Sequence, residues 1–192
     1  MTEKTEFYPA SVSVPHEKRT SRLHLRPLRA TDVQLDYEAV MSSAEMLRIW
    51  SQSDWPADGF TLADNLADLQ RHEREHIEGK AFTFTVLNPQ GTQCLGCVYI
   101  VPLRPEEIPL CKDAAYAADV GFWVRTSELT NALDQHLLAT VRDWFQAEWA
   151  FDCVVFTVSQ QETRQAALFQ AAGLKQRLAG TLWGGRPCWV FG

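Results

Sequence analysis

No stretch of this 192-residue chain approaches the roughly 18 consecutive apolar residues that a membrane-spanning helix needs. The N-terminus carries Lys4 but no apolar core after it, so it lacks the form of a secretory signal. Positive charge is short: 18 Lys and Arg stand against 24 Asp and Glu, a net of −6. That balance disfavours a nucleic-acid partner. Cysteine is scarce and odd in number, five in all with no scaffold spacing. Disulfides are therefore not expected, and a reducing, cytoplasmic setting is. The chain also shows no internal repeat and no composition break that would mark a second domain. What is present, 46% hydrophobic and 22% charged residues, suits one globular domain with a real core.

The pattern of elements is clearest between Ala115 and Leu174. Ala118 to Val124 alternates and is rich in β-branched and aromatic residues, as a strand with a buried face requires. Leu129, Leu133, Leu137, Val141, Trp144 and Phe145 then fall three or four apart and predict a helix over about 128–149. Cys153 to Val158 is a short, nearly continuous apolar run, which predicts a strand buried on both faces. Ser159 with Glu162 matches a capping box, so a second helix is expected from there, stopped by Gly173.

Upstream, residues 1–21 carry no periodicity. They read as an arm, either disordered or packed on a partner subunit, ahead of a single domain over 22–192. Arg22 to Arg29 alternates as a first strand, and Thr31-Asp32-Val33-Gln34 predicts a helix over about 32–43. Ser51 to Gly59 reads as a loop near Trp50 and Trp55. Thr61 and Asp64 then cap a helix to about Glu78, whose charged second half should be solvated. Residues 81–87 and 93–103 predict a hairpin about Asn88-Pro89-Gln90-Gly91. After Gly173, residues 176–183 and 187–191 flank Gly184-Gly185 as a terminal hairpin. The fold class expected is α/β: a mixed, mostly antiparallel sheet of about seven strands with helices on both faces.

This order resembles the GNAT superfamily of acyl-CoA-dependent N-acetyltransferases, most nearly the branch that modifies ribosomal-protein N-termini and small amines. Asp119-Val120-Gly121-Phe122-Trp123-Val124 leads into the cofactor helix. A buried strand follows, then Ala167-Leu168-Phe169-Gln170-Ala171-Ala172-Gly173-Leu174. The likeness extends more loosely over 22–192, and order and spacing carry it rather than any single motif. It implies that the strands near 118–125 and 153–159 splay into a cofactor cleft. It also implies acetyl-CoA as co-substrate, no metal, and an acceptor that is a small-molecule amine or a protein N-terminus. Phe122, Trp123 and Val124 would hold the pantetheine arm. Ser127, Leu129, Thr130 and Asn131 would lie at the phosphates, and Asp119 would take the amine proton, through water because Asp is short. Trp50 and Trp55 would shape the acceptor wall. The loop from Arg125 to Asn131 departs from the family pattern in having no glycine, with Glu128 at the expected helix start and Ser127 as its N-cap. Phe169 stands where the family's general acid is often a tyrosine, and Glu162 where relatives often have a cofactor-contacting Asn. These departures keep open a second reading, a non-catalytic binding or assembly module on the same fold. The terminal arm or hairpin offers a surface for a homodimer; neither nucleic acid nor membrane is expected as a partner.

Two short motifs compete with that reading. His72-Glu73-Arg74-Glu75-His76 matches H-E-x-x-H, which on a helix puts both imidazoles on one face. It lies in a charged run with no third ligand in view, so a solvated face is the simpler expectation. Cys94-Leu95-Gly96-Cys97 matches C-x-x-C. In a regular strand positions i and i+3 face opposite ways, so these thiols are expected neither to bridge nor to share a metal. Cys111, Cys153 and Cys188 have no partner spacing. His24 is expected on a strand surface, and His136 in a structural role.

Overall fold

The computed structural model describes residues 6–182 and 185–192. In chain order the elements are β1 (Lys18–Arg19), β2 (His24–Pro27), α1 (Val33–Met41), α2 (Ala44–Ser51) and α3 (Leu62–Ile77). There follow β3 (Phe82–Leu87), β4 (Cys94–Pro102), β5 (Ala117–Val124), α4 (Leu133–Glu148), β6 (Cys153–Ser159), α5 (Thr163–Ala171), β7 (Gln176–Leu182) and β8 (Arg186–Phe191). The strands form one eight-stranded sheet in the order β1-β2-β3-β4-β5-β6-β8-β7. Every neighbouring pair is antiparallel except β5 with β6. The α/β class and the mixed, mostly antiparallel sheet are as expected; β1, drawn from the terminal arm, makes the strands eight. Gly184, which the expected terminal hairpin turns on, lies outside the described residues.

Alternation decides what each face buries. Phe82, Phe84 and Val86 of β3, Val98 and Ile100 of β4, and Val120 and Phe122 of β5 point to one face, where Leu137, Val141 and Trp144 of α4 and Phe169 of α5 pack. Thr83, Thr85 and Leu87 point the other way; Leu87 joins Cys97, Trp123, Val40, Leu47 and Leu69 under α1, α2 and α3. Local chemistry fixes several helix ends. Thr61 Oγ1 accepts from the Asp64 amide at 3.2 Å, and the Thr61 amide donates to Asp64 Oδ2 at 2.9 Å. This reciprocal cap starts α3 at Leu62, where the sequence placed it. Gly173, at φ 81°, ends α5 as the amide of Leu174 bonds back to the Phe169 carbonyl at 3.0 Å.

Four expectations are corrected. The terminal arm is not a loose tail over residues 6–21: Phe7 stacks 5.5 Å from Phe82, and Tyr8 is buried with its hydroxyl accepting from the Ala150 amide at 3.0 Å. Aromatic rings, not periodicity, dock it, and they dock it on its own chain. Helix α2 is an element absent from the sequence reading, two turns long and wedged between α1 and the loop at 52–60. Ser159 does not cap α5; it is the last residue of β6, its hydroxyl accepts from the Gln161 amide at 3.1 Å, and the helix begins at Thr163. Glu128 and Ser127 do not open α4 either. They lie in a 3-10 turn over Thr126–Asn131, and Ala132 at φ 52° separates that turn from the helix.

Candidate active site

β5 and β6 pair only from Ala117–Cys153 to Val120–Phe156. Beyond that rung the parallel strands part, while β5 stays bonded to β4 as far as Val124 and β6 to β8 as far as Ser159. The gap they leave is the splay that the resemblance implies. It opens a cleft of about 330 Å³ lined by Phe122, Trp123 and Val124 from β5, Leu129 from the turn, and Arg164 and Gln165 from α5. Ser127, Thr130 and Asn131 lie on the same turn but outside the lining of this cleft. Two side chains from α5 occupy the gap. Gln165 Nε2 donates to the Phe122 carbonyl at 2.9 Å, and its Oε1 is buried without a partner among the described residues. Arg164 bridges the Leu129 carbonyl at 2.9 Å and the Asp134 carboxylate at 2.8 Å. The carboxylate at the α4 N-terminus is thus Asp134, already neutralised by a guanidinium. Sequence reasoning missed Asp134, Arg164 and Gln165, because their meeting depends on how α5 crosses the gap.

On the opposite face of β5 lies a larger hollow of about 1150 Å³, walled by Trp50 and Trp55, with Tyr99, His72, Asp36 and Asp119 among its lining. Gly121 leaves the wall low beside Asp119; the nearest neighbour of a Cβ there would be Trp50, at 3.6 Å. Phe169 faces away from the hollow, fully buried against Phe122, Phe156 and Phe191.

Asp119 is 1% exposed. Arg104 donates to its Oδ2 at 2.6 Å and also pairs with Glu107, while the Thr157 hydroxyl donates to Glu107 at 3.0 Å. Its Oδ1 has no hydrogen-bond partner among the described residues. Burial, and then the negative charge of Glu107, push the Asp119 carboxyl up to about 7 against the pull of Arg104. Burial is the larger cause; the single guanidinium, shared between two buried carboxylates, leaves the pair a charge in excess and adds to it. The loop carrying Arg104 and Glu107 is stapled to β6 by a disulfide between Cys111 and Cys153, whose Cα atoms are 5.8 Å apart. This corrects the expectation that these cysteines are unpaired: β5 and β6 run side by side, and that brings together residues 42 apart in sequence.

His72 and His76 do not sit on a solvated face. His72 packs 5.4 Å from the Tyr99 ring, and burial lowers its pKa to about 4. His76 lies between Phe82 and Phe84, at 5.2 and 5.3 Å. No third metal-ligating group joins them among the described residues. His24 is likewise buried rather than on the surface, 2.9 Å from Glu17. His136 bonds the Thr20 hydroxyl at 2.9 Å, the structural role expected.

The family model described as acetyltransferase (GNAT) domain matches residues 22–175. No curated protein sequence matches the chain. Among solved structures, the apo form of the ribosomal alpha-N-protein acetyltransferase RimL aligns at TM-score 0.70 and 15% identity, covering 95% of this chain and 96% of that one. RimJ of Mycobacterium smegmatis, in complex with a CoA disulfide, aligns at 0.69 and 17%, covering 88% and 80%. The microcin self-immunity acetyltransferase MccE, in complex with acetyl-CoA and AMP, aligns at 0.71 and 10%, covering 95% and 98%. At these identities the likeness is one of fold.

Proposed function

Given that this chain belongs to the GNAT acetyltransferase family, we propose that it transfers an acetyl group from acetyl-CoA to a primary amine by direct attack within a ternary complex. The observation that carries this reading is Asp119: a buried carboxyl at the acceptor hollow, with one oxygen held by Arg104 and the other unclaimed. A carboxyl held near 7 is matched to taking a proton from an ammonium at neutral pH. The co-substrate, when bound, supplies the thioester. Phe122, Trp123 and Val124, on the open edge of β5, would hold its pantetheine arm, and the Phe122 carbonyl, now bonded by the Gln165 amide, would be an acceptor for it. The turn holding Ser127, Leu129, Thr130 and Asn131, with the α4 N-terminus and Arg164, would hold its phosphates.

The acceptor hollow favours a cation with an apolar body. Asp36, Asp68 and Asp119 outnumber Arg71 among its charged lining, and Trp50, Trp55 and Tyr99 supply aromatic wall. An N-terminal amine of a protein fits that description, as does a small amine; the ribosomal substrate in the name of RimL lends weight to the former. No helix among the described residues is long and apolar enough to cross a membrane.

The test is turnover with acetyl-CoA and a panel of N-terminal peptides and small amines, followed as release of free CoA. Asp119→Asn should lower kcat by about 10²-fold or more while leaving the KM for acetyl-CoA nearly unchanged. Full activity in Asp119→Asn would remove Asp119 from the mechanism. A second reading, a non-catalytic binding or assembly module, draws on Gln165 already filling the splay and on Phe169 lying in the core. Its signature is the absence of turnover with every amine despite a folded protein.

A further inference from the structure

The C-x-x-C pair does not behave as a regular strand would make it. On β3, Val86 faces Gly96 but Leu87 faces Cys94, so Leu95 is an extra residue in β4. Cys97 faces Thr85. Leu87 and Thr85 are two apart and share a face, so Cys94 and Cys97 share it as well. The bulge requires glycine. A Cβ at Gly96 would overlap the Trp123 carbonyl oxygen and lie 2.9 Å from the Val124 Cα. The expectation that the two thiols point apart is therefore overturned by the β3–β4 bulge, and the close β4–β5 approach restricts residue 96 to glycine.

The shared face also holds the carboxyl of Asp36, from α1. One atom each of Asp36, Cys94 and Cys97 lie within 4.8 Å of one another, all three residues buried. Cys97 Sγ is 3.6 Å from Asp36 Oδ1. Asn65 Nδ2, from α3, donates to Asp36 Oδ2 at 3.0 Å, while Asn65 Oδ1 is buried without a partner among the described residues. No cation pairs with Asp36 in the ion pairs of the described residues. Thiolates bound at about 2.3 Å to a tetrahedral zinc stand roughly 3.8 Å apart. The cluster need close by only about an ångström to meet that geometry.

We propose that Asp36, Cys94 and Cys97 form a binding site for one borderline-soft divalent cation, with Zn²⁺ as the natural occupant. Sulfur donors select such a metal over Mg²⁺ or Ca²⁺. Asp36 and Asn65 both line the acceptor hollow, from which a water would complete the shell. Asn65 is a positioning residue that holds the Asp36 carboxylate in place. Binding expels one proton from each thiol, and from Asp36 where it is protonated. The ion ties α1 to β4 beneath the acceptor wall; it takes no part in the transfer step.

Co²⁺ is the probe, added to chelator-stripped full-length protein after the reductant has been removed. One equivalent should give a near-ultraviolet thiolate-to-cobalt band and tetrahedral visible bands. Cys94→Ser and Cys97→Ser should each weaken binding by about a hundredfold or more and abolish the near-ultraviolet band. The Cys111→Ser/Cys153→Ser double variant should keep both affinity and band. Should the single variants fail to fold, zinc-edge X-ray absorption on the unmodified protein replaces them: two sulfur neighbours support the site. A shell of nitrogen and oxygen alone overturns it, as does a charge-transfer band that survives in both single-cysteine variants, or no stoichiometric binding at micromolar metal.

Discussion

Replacing the candidate base should make the protein more stable at alkaline pH. Asp119 is 1% exposed, and its carboxyl is raised from an ordinary 3.8 to about 7. Between those values the folded chain keeps a proton that the unfolded chain has lost. Stability from this group is therefore present below pH 3.8 and is lost as pH rises through about 7. At about 1.4 kcal/mol per pH unit, the loss between pH 5 and 8 amounts to about 2–3 kcal/mol. Asn has the shape of the protonated acid and cannot ionise, and it leaves Arg104 with Glu107 as a one-to-one pair. By pH 5 the parent has already lost about 1.6 kcal/mol from this group, so Asp119→Asn should start ahead of it by about that much. Its advantage over the parent should grow by about 2–3 kcal/mol more by pH 8. Urea unfolding of both proteins at the two pH values, followed by tryptophan fluorescence, measures the difference. An advantage that does not grow with pH, or a variant less stable than the parent at pH 8, would refute the reasoning that Asp119 is a strained, under-neutralised carboxyl.

Gly96→Ala drives a methyl into the Trp123 carbonyl across a buried ladder and should cost about 3 kcal/mol or more, read as a drop in thermal midpoint; a loss below about 0.5 kcal/mol would mean that the bulge is not fixed by this approach. Thr61→Ala removes the reciprocal cap of α3 and should cost about 1 kcal/mol by urea unfolding, whereas an unchanged midpoint would make the cap dispensable. Gln165→Leu cannot donate to the Phe122 carbonyl, so acetyl-CoA should bind at least as tightly as to the parent protein; a tenfold weaker Kd by calorimetry would instead make Gln165 a ligand of the co-substrate.

The strands over 82–87 and 118–124, the Thr61 cap and the Gly173 stop were legible because each is written within a few residues of sequence. What escaped depends on segments far apart. The bulge at Leu95 belongs to the pairing of β4 with β3, so C-x-x-C read as a regular strand put the thiols on opposite faces. Cys111 meets Cys153 only because β5 and β6 run parallel. Asp119 was visible as a strand carboxyl, but the Arg104 and Glu107 that set its proton affinity come from a loop with no periodicity. Ser159 and Glu162 satisfy a capping pattern, yet the ladder with β8 keeps Ser159 in the strand as far as Cys188. Pattern names candidates; pairing between distant strands decides among them.

The central claim is that the splay between β5 and β6 takes acetyl-CoA although a glutamine fills it and the neighbouring turn has no glycine. Isothermal titration of the full-length protein with acetyl-CoA tests this most directly. One site per chain with a micromolar Kd is expected, weakened about tenfold in Arg164→Ala by loss of a cation for the phosphates. No heat up to millimolar acetyl-CoA, from protein shown to be folded, would contradict it.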